Sequence, residues 1–298
     1  MSGEPSPPTF SPDPPSDQPL SAANPPAAIA LLRRPYNWRL LAILSLAMFL
    51  SVILLTPYAI SLQADALKKA HLPLPLKVLL PLQWVGSTIL YGACAGIGLF
   101  AAGKIGLGLP FLEGWLAGNP DWKLLRRYLL PAILVGAVAG IAILLLSHFV
   151  FSRAVEADLK RHGIPIPTHL NPPAWQGLLA SFYGGITEEV LLRLFVMSLL
   201  VWLGRYLTRS RDVRPSLGVL WVANFLAAVL FGLGHLPAAA ALGLPLDAVA
   251  ITQIVVLNGL AGIAFGWLYW TFGLEAAMIS HFSADIVLHV IQPSMFWR

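Results

Sequence analysis

Long runs of apolar residues constrain this chain more than any other feature. About 20 helical residues cross the roughly 30 Å hydrocarbon layer of a bilayer, and runs of this kind are centred on residues 40–62, 79–102, 128–151, 175–203, 217–242, 249–271 and 274–291. With 57% hydrophobic and 11% charged residues, the chain is too apolar for a soluble domain of 298 residues. Since lipid cannot satisfy backbone polar groups, spanning segments of this length form helices. The sequence therefore predicts an all-α, polytopic membrane protein with about seven to eight transmembrane helices.

The composition divides the chain into three regions. Residues 1–35 are rich in Pro, Ser and Ala and have few large apolar residues, which predicts a disordered N-terminal tail. Residues 36–127 contain two predicted spans and a Gly-rich interfacial connector, and residues 128–298 contain the remaining five. Arg153 to Pro173 mixes both charge signs with four prolines, which predicts an extramembrane loop.

The basic residues lie singly or in short groups between the spans. More of them fall on connectors that lie on the same side as the N-terminus, including Arg205, Arg209, Arg211 and Arg214. This asymmetry predicts a cytoplasmic N-terminus in a plasma (inner) membrane. The same distribution explains the net charge of +5, so nucleic acid is not expected as a partner, whereas membrane lipid is.

Two adjacent carboxylates and a guanidinium interrupt the fourth predicted span. Glu188, Glu189 and Arg193 stand in a segment otherwise apolar enough to cross the bilayer. A charged side chain at the centre of a span costs roughly 2.5–3.5 kcal/mol, so such residues face the protein interior and mark function. Glu189 and Arg193 are four residues apart and can pair; a structural pair and a catalytic pair are equally consistent with this spacing. Glu188 points elsewhere and needs a partner from another helix, a proton, a metal or water.

Two histidines and one aspartate lie within other spans. His235 is in the fifth, close to Pro237, and His281 and Asp285 share a face of the last. Because polar residues in lipid seek one another, the fourth, fifth and last spans are expected to share one buried polar centre.

Such a centre can carry out acid and base chemistry on water. Glu188 is the predicted base, and His235 and His281 either polarise a scissile carbonyl or hold a divalent metal such as zinc that generates hydroxide. The candidate metal ligands are Glu188, His235, His281 and Asp285. Asp285 either orients His281 or completes the ligand set.

Other polar residues are given structural interpretations. His148 and His289 lie near the ends of spans and are interpreted as interfacial. Asn258 is interpreted as a hydrogen-bonding residue between helices. Cys94 lies between small residues and is interpreted as a helix-packing position.

Three motifs resemble those of a known family. Glu188-Glu189-x-x-x-Arg193, Phe231-x-x-x-His235 and His281-x-x-x-Asp285, with Gly262-x-x-x-Gly266-Trp267-Leu268-Tyr269 ahead of the last, are similar to the pattern of the CPBP intramembrane proteases. This family includes CAAX proteases and bacteriocin-processing or abortive-infection proteins. The resemblance covers roughly residues 128–291. One position departs from it, since the CAAX-processing branch commonly has Asn where this chain has Asp285.

The resemblance implies a helical intramembrane endopeptidase that acts on a peptide or a membrane-associated protein. It implies that Glu188 activates water, that Glu189 and Arg193 support it, and that His235, His281 and Asp285 shape the oxyanion site. It leaves a glutamate-only and a metal-dependent mechanism open. From the residues alone, a proton- or ion-coupled transporter that uses the buried carboxylates, or a non-catalytic membrane scaffold, are the alternatives.

Overall fold

The structure is a computed structural model of the 298-residue chain, and it describes residues 37–69, 71–164, 172–208 and 215–293. The predicted tail, residues 1–35, lies outside the described residues. So do Arg209, Arg211 and Arg214 of the basic connector and residues 165–171 of the predicted extramembrane loop.

Within the described ranges, seven helices are long and apolar enough to cross a membrane, and there is no strand. The predicted all-α class and the number of spans are therefore confirmed, and the chain is an integral membrane protein. In chain order the first to seventh spans are Trp38–Leu62, Leu76–Ile105, Trp122–Arg161, Ala174–Leu207, Leu217–Ala241, Ala248–Phe272 and Leu274–Ile291. Two short helices, Ala64–Lys69 and Pro110–Leu116, lie in the first two connectors. The membrane in question and the side of the N-terminus stay predictions.

Several predicted boundaries are wrong. The third span begins at Trp122, inside the predicted connector, because the Asp121 carboxylate accepts the Leu124 N–H at 2.9 Å and caps a new helix. At its other end this span continues through Ser152–Arg161, where a loop was expected. The first span contains Pro57 and continues through it, since proline is tolerated in membrane helices whose neighbours satisfy the freed carbonyl group. Asn258 bonds within its own helix, to the carbonyl of Ile254 at 2.8 Å.

Four of the spans are not uniform α-helices. The fourth comprises α-helix Ala174–Phe182, π-helices Tyr183–Glu188 and Val190–Met197, and α-helix Ser198–Leu207. The third includes π-helix Ser147–Phe151, and the seventh ends with π-helix Ile286–Ile291 after α-helix Leu274–Asp285. The fifth divides at His235 into Leu217–Gly234 and Leu236–Ala241. Because π-turns are rare and often lie at functional sites, their place around the charged segment is informative.

Small residues allow the spans to approach closely around that segment. The third span packs on the seventh, where a Cβ at Gly140 would lie 3.0 Å from the Ala284 carbonyl oxygen and 3.0 Å from the Val287 Cβ. The fifth packs on the sixth, and the first packs on both the second and the fourth. A buried hydroxyl pair, Ser51 and Thr187 at 2.6 Å, links the first span to the fourth. The first two spans thus form part of the wall of the fourth span's polar segment.

Candidate active site

The fourth and seventh spans bring the predicted acids and one predicted histidine together. Glu189 Oε1 lies 2.7 Å from His281 Nδ1 and 2.9 Å from Arg193 Nη1. Glu188 Oε2 lies 3.6 Å from His281 Nε2, and Asp285 Oδ1 lies 3.7 Å from the same nitrogen. The two glutamates therefore face opposite nitrogens of a single imidazole ring.

Glu189 and Arg193 form the predicted pair, deep in the protein. Their side chains are 0% and 1% exposed, and Arg193 Nη2 also donates to the Gly262 carbonyl at 3.0 Å. The guanidinium lies over the rings of Phe231, at 5.0 Å, and Phe265, at 5.4 Å. Because a desolvated charge is stable only with several such partners, this pair is held from three spans.

Glu189 orients His281, which is one of the two roles predicted for Asp285. The Nδ1–H of His281 donates to Glu189, so Nε2 points towards Glu188 and Asp285. Phe265 stacks on the same ring at 4.8 Å with an interplanar angle of 23°. The imidazole is thereby fixed on its edge and on its face.

Glu188 is placed differently from its neighbour. Its side chain is 22% exposed, whereas that of Glu189 is inaccessible. It faces His281 Nε2 at an ion-pair distance too long for a direct hydrogen bond. Glu188 is therefore the carboxylate that a water molecule or a substrate can reach.

His235 borders the centre without pairing to its acids. Its Nδ1–H donates to the Phe231 carbonyl at 2.8 Å, and no described carboxylate lies within ion-pair distance of it. Its ring meets the edge of Phe231 at 4.9 Å, and Phe231 meets His281 at 5.5 Å. Phe231 thus contacts both histidines.

The candidate metal ligands do not form a compact set. Zinc in a tetrahedral site binds its ligands at about 2.0–2.2 Å, so ligand atoms must lie only a few ångströms apart. Glu188 and Asp285 each approach His281 Nε2, yet no three of Glu188, His235, His281 and Asp285 offer ligand atoms that all lie within 4.8 Å of one another. As arranged among the described residues, the four side chains do not fit a zinc ion.

A different group does meet that distance criterion. Asp158, His162 and Asp247 place one ligand atom each within 4.8 Å of one another, at the end of the third span and the start of the sixth. Their charges already have partners, since Arg161 Nη2 lies 2.9 Å from Asp158 Oδ1 and the Asp247 carboxylate accepts the N–H groups of Val249 and Ala250. We interpret this cluster as a structural link. The hydrogen bond that Ala250 donates is the main cause that lowers the pKa of Asp247, which caps the sixth span.

The site includes residues that were not predicted to belong to it. Phe265 and Gly184 contact the polar centre, and His289, interpreted as interfacial, lies 3.9 Å from Asp285. Gly184 carries the clearest sequence signal, since two glycines precede the acidic pair. A Cβ at Gly184 would clash with the Asp285 carboxylate, so only glycine allows the fourth and seventh spans to meet here.

These features define a polytopic helical membrane protein with a buried centre of carboxylates and imidazoles. Residues 170–287 match the family model described as Type II CAAX prenyl endopeptidase Rce1-like. The match confirms the resemblance to the CPBP family over this part of the chain. It supports a CAAX-protease-like intramembrane endopeptidase in a lipid environment. No curated protein and no solved structure matches the chain.

Proposed function

We propose that this protein is an intramembrane endopeptidase in which Glu188 activates the attacking water. The observation that carries the proposal is that two adjacent glutamates face different nitrogens of the same imidazole ring and differ in their access to solvent. Glu189 is buried and orients His281, whereas Glu188 is accessible and faces the free nitrogen of that ring.

The reaction follows from these positions. Glu188 takes a proton from water while the water oxygen attacks the carbonyl carbon of the peptide bond. The carbonyl oxygen becomes an oxyanion, which needs a nearby donor. His281 supplies that donor at Nε2 when the ring carries both protons, and Glu189 provides the negative charge that stabilises such a ring. Glu188 then passes its proton to the amine nitrogen as the C–N bond breaks, which yields a carboxylic acid and an amine.

His235 and Asp285 complete the proposed site. Asp285 lies beside His281 Nε2 on the side away from Glu189. In this mechanism its carboxylate accepts a hydrogen bond from the O–H group that the attacking water keeps. His235 donates its Nδ1–H to the Phe231 carbonyl, which leaves Nε2 available to the substrate. When the ring carries both protons, the Nε2–H donates to the substrate carbonyl and polarises it.

We further propose that the reaction does not require a metal. The spacing of Glu188, His235, His281 and Asp285 supports this, because three ligand atoms do not converge. We expect purified protein to hold less than one equivalent of zinc and to keep its activity in 1,10-phenanthroline. Stoichiometric zinc together with chelator-sensitive cleavage would contradict a metal-free mechanism and leave the endopeptidase assignment intact.

The substrate class is a peptide segment at the membrane. The family match suggests prenylated C-a-a-X tails as one candidate. The probes are therefore a farnesylated peptide that ends in C-a-a-X and an unmodified peptide of the same sequence attached to a lipid anchor. Cleavage of only one probe identifies whether the prenyl group is recognised.

The test is cleavage of these probes by full-length protein in proteoliposomes, followed by mass spectrometry. We expect Glu188→Ala and Glu188→Gln to lower kcat by roughly 10²–10⁴-fold, the typical contribution of a general base. Glu156→Gln is the matched control, because Glu156 is an exposed acid outside the centre. Equal activity of wild type and Glu188→Ala would refute the mechanism. A transporter or a scaffold would cleave neither probe.

A further inference from the structure

Two residues outside the family-matched segment join the polar centre at Asp285. Tyr58 is on the first span, and His289 is in the π-helix Ile286–Ile291 at the end of the seventh. The match ends at residue 287. These two residues are therefore a contribution of this chain to the site that the matched segment does not contain.

Asp285 lies between two imidazoles on its own helix. Its Oδ1 is 3.7 Å from His281 Nε2 and 3.9 Å from His289 Nε2. Both distances are within ion-pair range and longer than a hydrogen bond. On its other side the carboxylate abuts Gly184. The carboxylate is thus confined by the fourth span and by both neighbouring turns of the seventh.

Tyr58 holds the outer imidazole. Its hydroxyl lies 3.2 Å from His289 Nδ1, and the two rings meet edge to face with centroids 5.5 Å apart. With Nδ1 engaged by the first span, Nε2 of His289 is the nitrogen directed at Asp285. The polar contacts therefore continue from Tyr58 through His289 and Asp285 to His281.

The backbone around His289 is held as closely as the ring. A Cβ at Gly177 of the fourth span would clash with the His289 carbonyl, so the two helices touch at this residue. The π-helix begins directly after Asp285, and an added residue in a turn changes the direction of the side chains that follow. Since polar contacts between two spans cost more to build than apolar packing, interfacial hydration alone does not account for the position of His289.

We infer that His289, held by Tyr58, is a positioning residue that fixes the Asp285 carboxylate beside His281 Nε2. This inference rests on the proposed function, because its consequence is the orientation of water between Glu188 and Asp285. In this role His289 contacts neither the attacking water nor the substrate. It acts through Asp285 only.

The first test separates turnover from binding. We expect His289→Leu to lower kcat by about 10- to 100-fold, the usual effect of losing a residue that orients a catalytic group, with KM changed less than twofold. Tyr58→Phe removes only the hydroxyl and should lower kcat by about 2- to 10-fold. His289→Gln, whose amide can still reach Asp285, should recover most of the activity lost in His289→Leu.

The second test asks whether Tyr58 acts through His289. In the His289→Leu background, Tyr58→Phe should lower kcat no further. The matched controls are His148→Gln and Tyr206→Phe, since both residues are exposed and lie outside the centre, and their kcat should equal that of wild type. Thermal unfolding in detergent monitors the fold of each variant.

The outcomes distinguish this inference from the proposed function. If Glu188→Gln is inactive while folded His289→Leu retains wild-type kcat, the positioning role is wrong and the endopeptidase assignment stands. A further drop of the same size for Tyr58→Phe without His289 also overturns the role of Tyr58. A wild type that cleaves no probe contradicts the proposed function and this inference with it.

Discussion

Glu188 and Glu189 are neighbours in the chain, yet they have different surroundings. Glu189 contacts a guanidinium and an imidazole and has no access to solvent. Glu188 keeps one accessible face and only a distant contact. The same residue type therefore supports the fold at one position and is available for chemistry at the next.

Substitution of the two glutamates should change the stability of the protein to different extents. Glu189→Gln leaves Arg193 buried without its counter-charge, and the loss of one partner of a buried pair costs about 3–5 kcal/mol. Glu188→Gln should change the free energy of unfolding far less, because its side chain is partly hydrated. Unfolding in detergent measures both. A Glu189→Gln variant as stable as wild type would show that the pair is dispensable.

A double variant distinguishes the cost of an unpaired buried charge from the loss of the ion pair itself. Replacing both partners, as in Glu189→Leu with Arg193→Leu, removes two desolvated charges together and should recover part of the stability lost in Glu189→Gln. The double variant should nevertheless be inactive in cleavage, because His281 loses the carboxylate that orients it.

At the residue scale, the sequence predicted those side-chain contacts that depend on spacing within one helix. The Glu189–Arg193 pair follows from a separation of four residues and is present in the structure. The Glu189–His281 hydrogen bond joins two residues that lie 92 positions apart in the chain and on different spans. Spacing within one helix carries no information on such a contact. For the same reason His289 was interpreted as interfacial, since its partner Tyr58 is on the first span.

At the scale of elements, π-turns surround the polar centre. The fourth span has two π-helices in succession across the acidic pair, and the seventh has one after Asp285. The length of the apolar runs predicted the existence of these spans and their approximate ends. It could not predict the π-turns, because one added residue in a turn leaves the composition of a span unchanged.

Gly184 allows the two non-uniform spans to meet. Gly184→Ala should displace the Asp285 carboxylate, because the added Cβ would clash with it and would lie 3.0 Å from His281 Nε2. We expect kcat to fall at least tenfold. Gly86→Ala is the control, since no atom lies within 4 Å of its added Cβ and alanine favours helix. Wild-type kcat in Gly184→Ala would contradict this close packing.

At the scale of the whole molecule, the first two spans belong to the site. The first span supplies Ser51 and Tyr58, and the second packs against the π-helix Val190–Met197. The division at residue 128 that composition suggests stays a prediction, but the contacts of the polar centre cross it.

A split protein tests that dependence. A fragment of residues 119–298 should be inactive alone, because the fourth span loses the wall formed by the first two. Coexpression with residues 1–118 should restore cleavage, because the break falls in the turn after the helix Pro110–Leu116. Full activity of the larger fragment alone would show that the first two spans are accessory.

The orientation in the membrane is a separate prediction. In a Cys94→Ser background, Thr208→Cys should react with an impermeant thiol reagent only from the cytoplasmic side, and His71→Cys only from the opposite side. Thr208 is the exposed residue directly after the fourth span, and His71 is an exposed residue of the connector between the first two spans. The reverse labelling pattern would overturn the predicted cytoplasmic N-terminus.

The Glu189–Arg193 pair has a consequence for biosynthesis. Ribosomes deliver the fourth span to the bilayer before the seventh is made, so Glu189 must enter lipid without His281. Arg193 is four residues away on the same segment, and it can neutralise that acid from the moment of insertion. The nascent fourth span can therefore remain in the membrane with Glu189 paired to Arg193. When the seventh span is inserted, His281 becomes the second partner of Glu189 and completes the polar centre.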